Sequence, residues 1–147
     1  MMEIHIVPVE PWHVEAVGSQ MRADDVREVW ELGGLTPIDA LKKSLAHDGI
    51  HFAALFDGAP AAIFGVVHPS LLAAVGIPWM LGTPLLERHW RAFAKASRKV
   101  MDELKVMYPV MINITHAENT LSVRWLRWLG ASFEINGIHA RFRLCAM

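Results

Sequence analysis

Val110-Met111-Ile112-Asn113-Ile114-Thr115, His116-Ala117-Glu118, Asn119-Thr120-Leu121-Ser122-Val123-Arg124-Trp125-Leu126-Arg127-Trp128-Leu129-Gly130 and Ala131-Ser132-Phe133 follow one another without interruption. The first run is apolar and β-branched, so it reads as a short strand. His116 to Glu118 is a polar hinge. Asn119 is a good helix start, and Gly130 ends the helix that follows. A new strand begins near Ala131. Strand, Asn-capped helix, glycine stop and strand make a compact unit that admits few arrangements.

Upstream, Arg88 to Met107 carries the longest helical pattern, ended by Pro109. Trp90, Phe93, Ala94, Ser97, Met101 and Leu104 form its inner face at helical spacing. His51 to Phe56, Asp57-Gly58 and Ala59 to Val67 make a hairpin, because Asp-Gly supplies the positive-φ residues of a tight turn. Gly65 marks a bulge or a close approach of backbone. A helical turn is expected from Ser70 to Val75, and Trp79-Met80-Leu81 reads as a strand.

Nearer the start, Ile4 to Val9 is a strand and Trp12 to Gln20 a short helix. Asp24 and Asp25 open a second helix whose inward face is Val26, Val29 and Trp30. Thr36-Pro37-Ile38-Asp39 opens a third, with Thr36 as the cap. Downstream, Ala131 to Ile135 and His139 to Leu144 are strands joined at Asn136-Gly137. The order is β, α, α, α, β, β, β, α, β, α, β, β. It describes one domain over residues 1–147, α/β (α+β) in class. A mixed central sheet of six to seven strands carries helices on both faces.

The chain has 147 residues, of which 53% are hydrophobic and 20% charged, with a net charge of −1. That composition builds one real core and creates no overall field for nucleic acid or an anionic membrane. No apolar run approaches the roughly 20 residues of a spanning helix, and no basic segment followed by a long apolar run opens the chain. The single cysteine, Cys145, reads as terminal-strand packing, and a cytoplasmic location is expected. His47 and His51 stand four apart, but Gly49 between them stops a helix, so no metal site is expected. Core packing is the default for the tryptophans; an exposed cluster would argue for a docking surface or a homo-oligomer.

The element order resembles the GNAT (GCN5-related N-acetyltransferase) fold over nearly the whole chain. The family's late motif corresponds to Asn119, Ser122, Trp125, Leu129, Gly130 and Phe133, with one extra residue before the phenylalanine. Met21 to Val26, Phe64-Gly65-Val66, Pro78 to Thr83 and Arg124 to Gly130 are similar to a narrower group. These are bacteriophage and prophage proteins related to the internal virion (core) protein A of short-tailed phages.

The resemblance implies acetyl-CoA as cofactor, an amine acceptor and N-acetyl transfer, with central strands parting at Met80 and Asn113. Trp79, Met80 and Leu81 would pair with the pantetheine arm. Asn119 and Ser122 would lie close to the cofactor, and His116 or Glu118 would take the proton; His68 is a more distant candidate. Two departures stand out. The family's glycine-rich pyrophosphate loop corresponds to Leu81 through Phe93, with one early glycine and with Pro84, Trp90, Arg91 and Phe93. Arg88, His89 and Arg91 either hold phosphates by side chain or form a solvated helix face. The family's acid, a tyrosine seven residues after the asparagine, is Leu126 here. The alternative is a non-catalytic virion or assembly protein that keeps the fold, partnered by other phage proteins in the virion interior.

Overall fold

The computed structural model describes residues 2–69, 72 and 74–145. The first half comprises β1 Ile4–Pro8, α1 Pro11–Ser19, α2 Ala23–Gly33, α3 Pro37–Ala46, β2 Gly49–Phe56 and β3 Ala59–Val67. The second comprises β4 Val75–Gly82, α4 Pro84–Arg88, α5 Trp90–Met107, β5 Val110–His116, α6 Thr120–Trp128, β6 Ser132–Asn136 and β7 His139–Cys145. The helical turn expected from Ser70 rests on residues 70, 71 and 73, which lie outside those described.

Local chemistry explains most boundaries. Thr36 Oγ1 accepts from the Asp39 N–H at 3.4 Å, with Pro37 in the first turn of α3. Asp57 (φ 49°) and Gly58 (φ 84°) form the β2–β3 turn. The last hairpin turns one residue later than expected: Asn136 pairs with His139, so Gly137 (φ 62°) and Ile138 are the central pair. Gly130 (φ 104°) stops α6. The long helix expected over Arg88 to Met107 is α5, starting at Trp90, and an unexpected short helix, α4, precedes it.

Seven strands form one sheet in the order β1-β2-β3-β4-β5-β7-β6. Every neighbouring pair is antiparallel except β4 and β5, which are parallel. The two-residue alternation of the strands sends side chains into two cores. Phe56, Phe64, Val66, Met80, Met111 and Phe142 pack with Phe93 and Met101 of α5 and Trp125 of α6. Ala53, Ile63 and Leu81 pack on the opposite face with Val17 of α1 and Ala40 and Leu41 of α3. Gly65 is a close approach and not a bulge: a Cβ there would lie 2.2 Å from the Ile50 carbonyl oxygen. The register shift falls at Ala54/Leu55. Cys145 is exposed on β7, where alternate residues face out.

Pairing between β4 and β5 is short. Val75 faces Val110 and Gly76 faces Met111, and the ladder then ends. The strands therefore part earlier than at Met80 and Asn113. Pro78 has no N–H to continue the ladder. Its carbonyl instead accepts from Asn113 Nδ2 at 2.9 Å. Beyond that bond the two strands enclose a wedge.

Candidate functional site

The backbone edge of β4 defines one wall of the wedge. Pro78 C=O and both backbone groups of Gly82 face away from β3, being bonded to Asn113, Asp25 and Arg22. Strand alternation puts the Met80 N–H and C=O on that same edge, between the two engaged residues. A cavity of about 290 Å³ occupies the wedge. Trp79, Met80 and Leu81 line it from β4, Asn113 to Thr115 from β5, and Ser122, Trp125 and Leu126 from α6. The residues expected to meet a pantetheine arm are thus gathered together.

The open end of the wedge is crossed by α2. The expected inward face is corrected here: Trp30 is 64% exposed and Val26 37%, whereas Asp25 and Arg22 are buried. The reason lies in what α2 packs against. The strand ends and the start of α6 present polar groups, which need polar partners when water is excluded. Arg22 Nη1 donates to Asp25 Oδ1 at 2.7 Å and to Asn119 Oδ1 at 2.9 Å. Its Nε donates to Glu87 Oε1 of α4 at 2.9 Å. Asp25 Oδ2 accepts the Gly82 N–H at 2.8 Å, and the Arg22 N–H donates to the Gly82 carbonyl at 2.8 Å. A carboxylate of the chain itself thus occupies the N–H at the end of β4, where an anion would otherwise be received. Burial pushes the Asp25 carboxyl up to about 6, against the pull of Arg22.

Asn119 is also corrected. Its side chain makes no cap bond to α6. It is fully buried, and Nδ2 donates to Asp25 Oδ1 at 2.8 Å and Glu28 Oε1 at 3.3 Å. The buried ion pair recruits it away from its own helix. Glu28 Oε1 further accepts from Thr115 Oγ1 and, at 2.6 Å, from the His116 N–H.

His116 lies beside this group with its side chain 2% exposed. The Glu118 N–H donates to Nδ1 at 3.1 Å, which puts the proton on Nε2, and Nε2 bonds to the Glu31 carboxylate. Both ring nitrogens are engaged. The Glu118 side chain is exposed and pairs with Arg27 at 3.0 Å, away from the cavity. His68 is bonded to the Tyr108 hydroxyl at 2.7 Å, where β4 and β5 begin. Arg88 and Arg91 are exposed, and His89 meets Phe56 edge-on; none of the three lines the cavity. Sequence reasoning passed over Arg22, Asp25, Glu28 and Glu31. Their common spacing of three residues, a polar stripe along one helix side, was the available signal.

No family model and no curated protein matches the sequence. Solved structures do match in fold. An acetyltransferase from Agrobacterium tumefaciens str. C58 has a TM-score of 0.70 at 13% identity, over 97% of this chain and 91% of that one. A GCN5-related N-acetyltransferase from Brucella melitensis has a TM-score of 0.68 at 18% identity, over 97% and 75% of the two chains. The PaiA N-acetyltransferase of Thermoplasma acidophilum, in complex with coenzyme A, has 0.64 at 11% identity, over 98% and 99%. The fold is that of the GCN5-related N-acetyltransferases. Among the described residues no helix is long and apolar enough to cross a membrane.

Proposed function

We propose that the chain binds an acyl-CoA thioester in the β4–β5 wedge and transfers its acyl group to an amine. One observation carries this reading: among the described residues the Met80 backbone N–H and C=O have no partner, beside a cavity formed where β4 and β5 part. An amide-bearing arm laid there adds as a strand would. A fold neighbour that holds coenzyme A supports the choice of cofactor. The neutral amine nitrogen attacks the thioester carbonyl carbon, the C–N bond forms as the C–S bond breaks, and the proton shed by the amine passes to water. Leu126 has none to give the departing thiolate, so solvent supplies it. Arg88 and Arg91, with His89 between the two helices, remain the side chains available to phosphates outside the wedge. Ser122 lines the cavity, whereas Asn119 is buried in the Arg22–Asp25 network and does not. His116 holds Glu28 through its backbone N–H while its ring is bonded to Glu31. The reading requires the first turn of α2 to swing aside, because Arg22 and Asp25 close the end by which the arm enters.

Calorimetric titration with acetyl-CoA and CoA tests the proposal. Binding heat is expected, with about 2.7 kcal/mol of added stability at a hundredfold excess over Kd. Absence of heat and of thermal protection at millimolar ligand overturns it. The closed α2 contact and Leu126 favour a second reading, a phage virion or assembly protein that keeps the fold without chemistry. That reading expects no CoA binding, together with co-purification with particle components.

A further inference from the structure

We infer that the outer groove between α5 and α6 is a binding surface for single-stranded nucleic acid. The net charge of −1 creates no overall field, but it is a cancellation between two unlike halves. Residues 1–87 hold 11 of the 15 acidic side chains, and residues 88–147 hold 10 of the 14 basic ones. In the second half the charge is concentrated on two helices: α5 and α6 together carry seven basic side chains and two acidic ones. Such segregation creates a local positive field that the total conceals.

The cations form a row. Arg91, Lys95 and Lys99 recur every four residues along one side of α5, so they stand about 6 Å apart. Arg124 adjoins the row from α6, its guanidinium 5.1 Å from the Trp90 ring centre. All four are exposed, and among the described residues none pairs with a carboxylate. Asp102 is engaged by Arg98 and Lys105. That leaves Glu103, one turn beyond Lys99, to mark the end of the row. Indole rings stand between the cations. Trp90 and Trp128 line one hollow with Arg91, Ala94 and Lys95, and Trp128 also lines the next, beside Lys95, Arg98 and Lys99. Trp128 is 46% exposed, with the Arg98 guanidinium 5.0 Å from its ring centre. Regularly spaced cations track a polymer with one charge per unit, and flat apolar rings among them receive its unstacked bases. An acidic peptide or an anionic bilayer would use the cations, yet neither presents a flat ring at every charge. Trp90, Lys95, Lys99 and Trp128 do not line the wedge cavity, so the surface is separate from it.

The test uses the full chain and a dye-labelled thymidylate dodecamer, followed by fluorescence anisotropy from about 50 to about 300 mM salt. Three or four neutralised phosphates give log K against log salt a slope of about −2 to −3. Lys95→Gln combined with Lys99→Gln leaves the core untouched and is expected to reduce that slope by about 1.4. An abasic dodecamer carries the same phosphates without the rings and is expected to bind about tenfold more weakly. No binding at the lowest salt, equal affinity for the abasic strand, or a slope unmoved by the double substitution overturns the inference. So does tighter binding of phosphatidylserine vesicles or of a polyglutamate peptide than of thymidylate at the same salt. Neither Lys95 nor Lys99 takes part in the acyl-CoA reading, so either proposal can fail without the other.

Discussion

Asp25 concentrates the physics of the wedge mouth in one carboxyl. Burial raises it from 3.8 to about 6; Glu28 also raises it, while Arg22, Asn119 and the Gly82 N–H lower it. Between those two values the folded chain keeps a proton that the unfolded chain has lost. Asp25 therefore contributes less stability as pH rises from about 4 to about 6, and its contribution is level above that. A shift of about two units corresponds to about 3 kcal/mol. His13, lowered mainly by desolvation, acts in the opposite sense and removes stability as pH falls below its ordinary 6.5. Comparison with Asp25→Asn cancels the histidine. The excess stability of the unsubstituted chain over this variant is expected to decline by roughly that 3 kcal/mol as pH rises from about 4 to 7. Urea titrations across that range measure it. A difference that does not change with pH would show that Asp25 is not buried as described.

At the scale of elements, α5 serves α6 as both floor and cap. Phe93 and Trp125 lie in one core, and Trp125 Nε1 donates to Ser97 Oγ at 3.0 Å. The last carbonyls of α6 have no partners within their own helix. Arg98 Nη1 donates to the Trp128 carbonyl at 2.9 Å and Lys105 Nζ to that of Leu129 at 2.7 Å. Both cations also meet the negative end of the α6 dipole. Arg98 and Lys105, outside the inner face of α5, thus form the C-terminal cap of another helix. Lys105→Met keeps the stem and removes the donor, so it is expected to lower stability by about 1.5 kcal/mol. Lys99→Met, on the exposed side, is expected to change it by less than about 0.5 kcal/mol. Guanidinium unfolding of the two variants distinguishes them, and equal losses would remove the capping account.

For the whole molecule, the consequence of interest is a sheet joined weakly at its middle. Two residue pairs and the Asn113–Pro78 bond connect β4 to β5, while the core around Phe64, Met111 and Trp125 spans both halves. The halves are held by packing, and between the engaged Pro78 and Gly82 the β4 edge is open at Met80. Trp79, Met80 and Leu81 lie opposite Gly65, Phe64 and Ile63 of β3; strand alternation directs the backbone groups of Trp79 and Leu81 to β3 and those of Met80 to the wedge. Hydrogen exchange is expected to be slow at the Trp79 and Leu81 amides and faster at Met80. Acetyl-CoA is expected to bring Met80 to the rate of its neighbours. Equal protection of the three amides in the ligand-free protein would mean that the wedge is closed in solution.

Element order apart from the short helix α4, the Asp57-Gly58 turn, the Thr36 cap, the Gly130 stop and the inner face of α5 were legible in the chain. Each depends on residues within a few positions of one another, through side-chain period and permitted φ. The tertiary structure alone decided where β4 and β5 part, which side of α2 turns inward, and that Asn119 serves Arg22 and Asp25 instead of its own helix. Those outcomes depend on partners 57 and 97 residues apart in the chain, as with Asp25 to Gly82 and Arg22 to Asn119. A polar side chain near either a helix start or a buried strand end satisfies the same local rules. Only the fold determines which unsatisfied group lies opposite it, and burial then makes that pairing the one of lowest free energy.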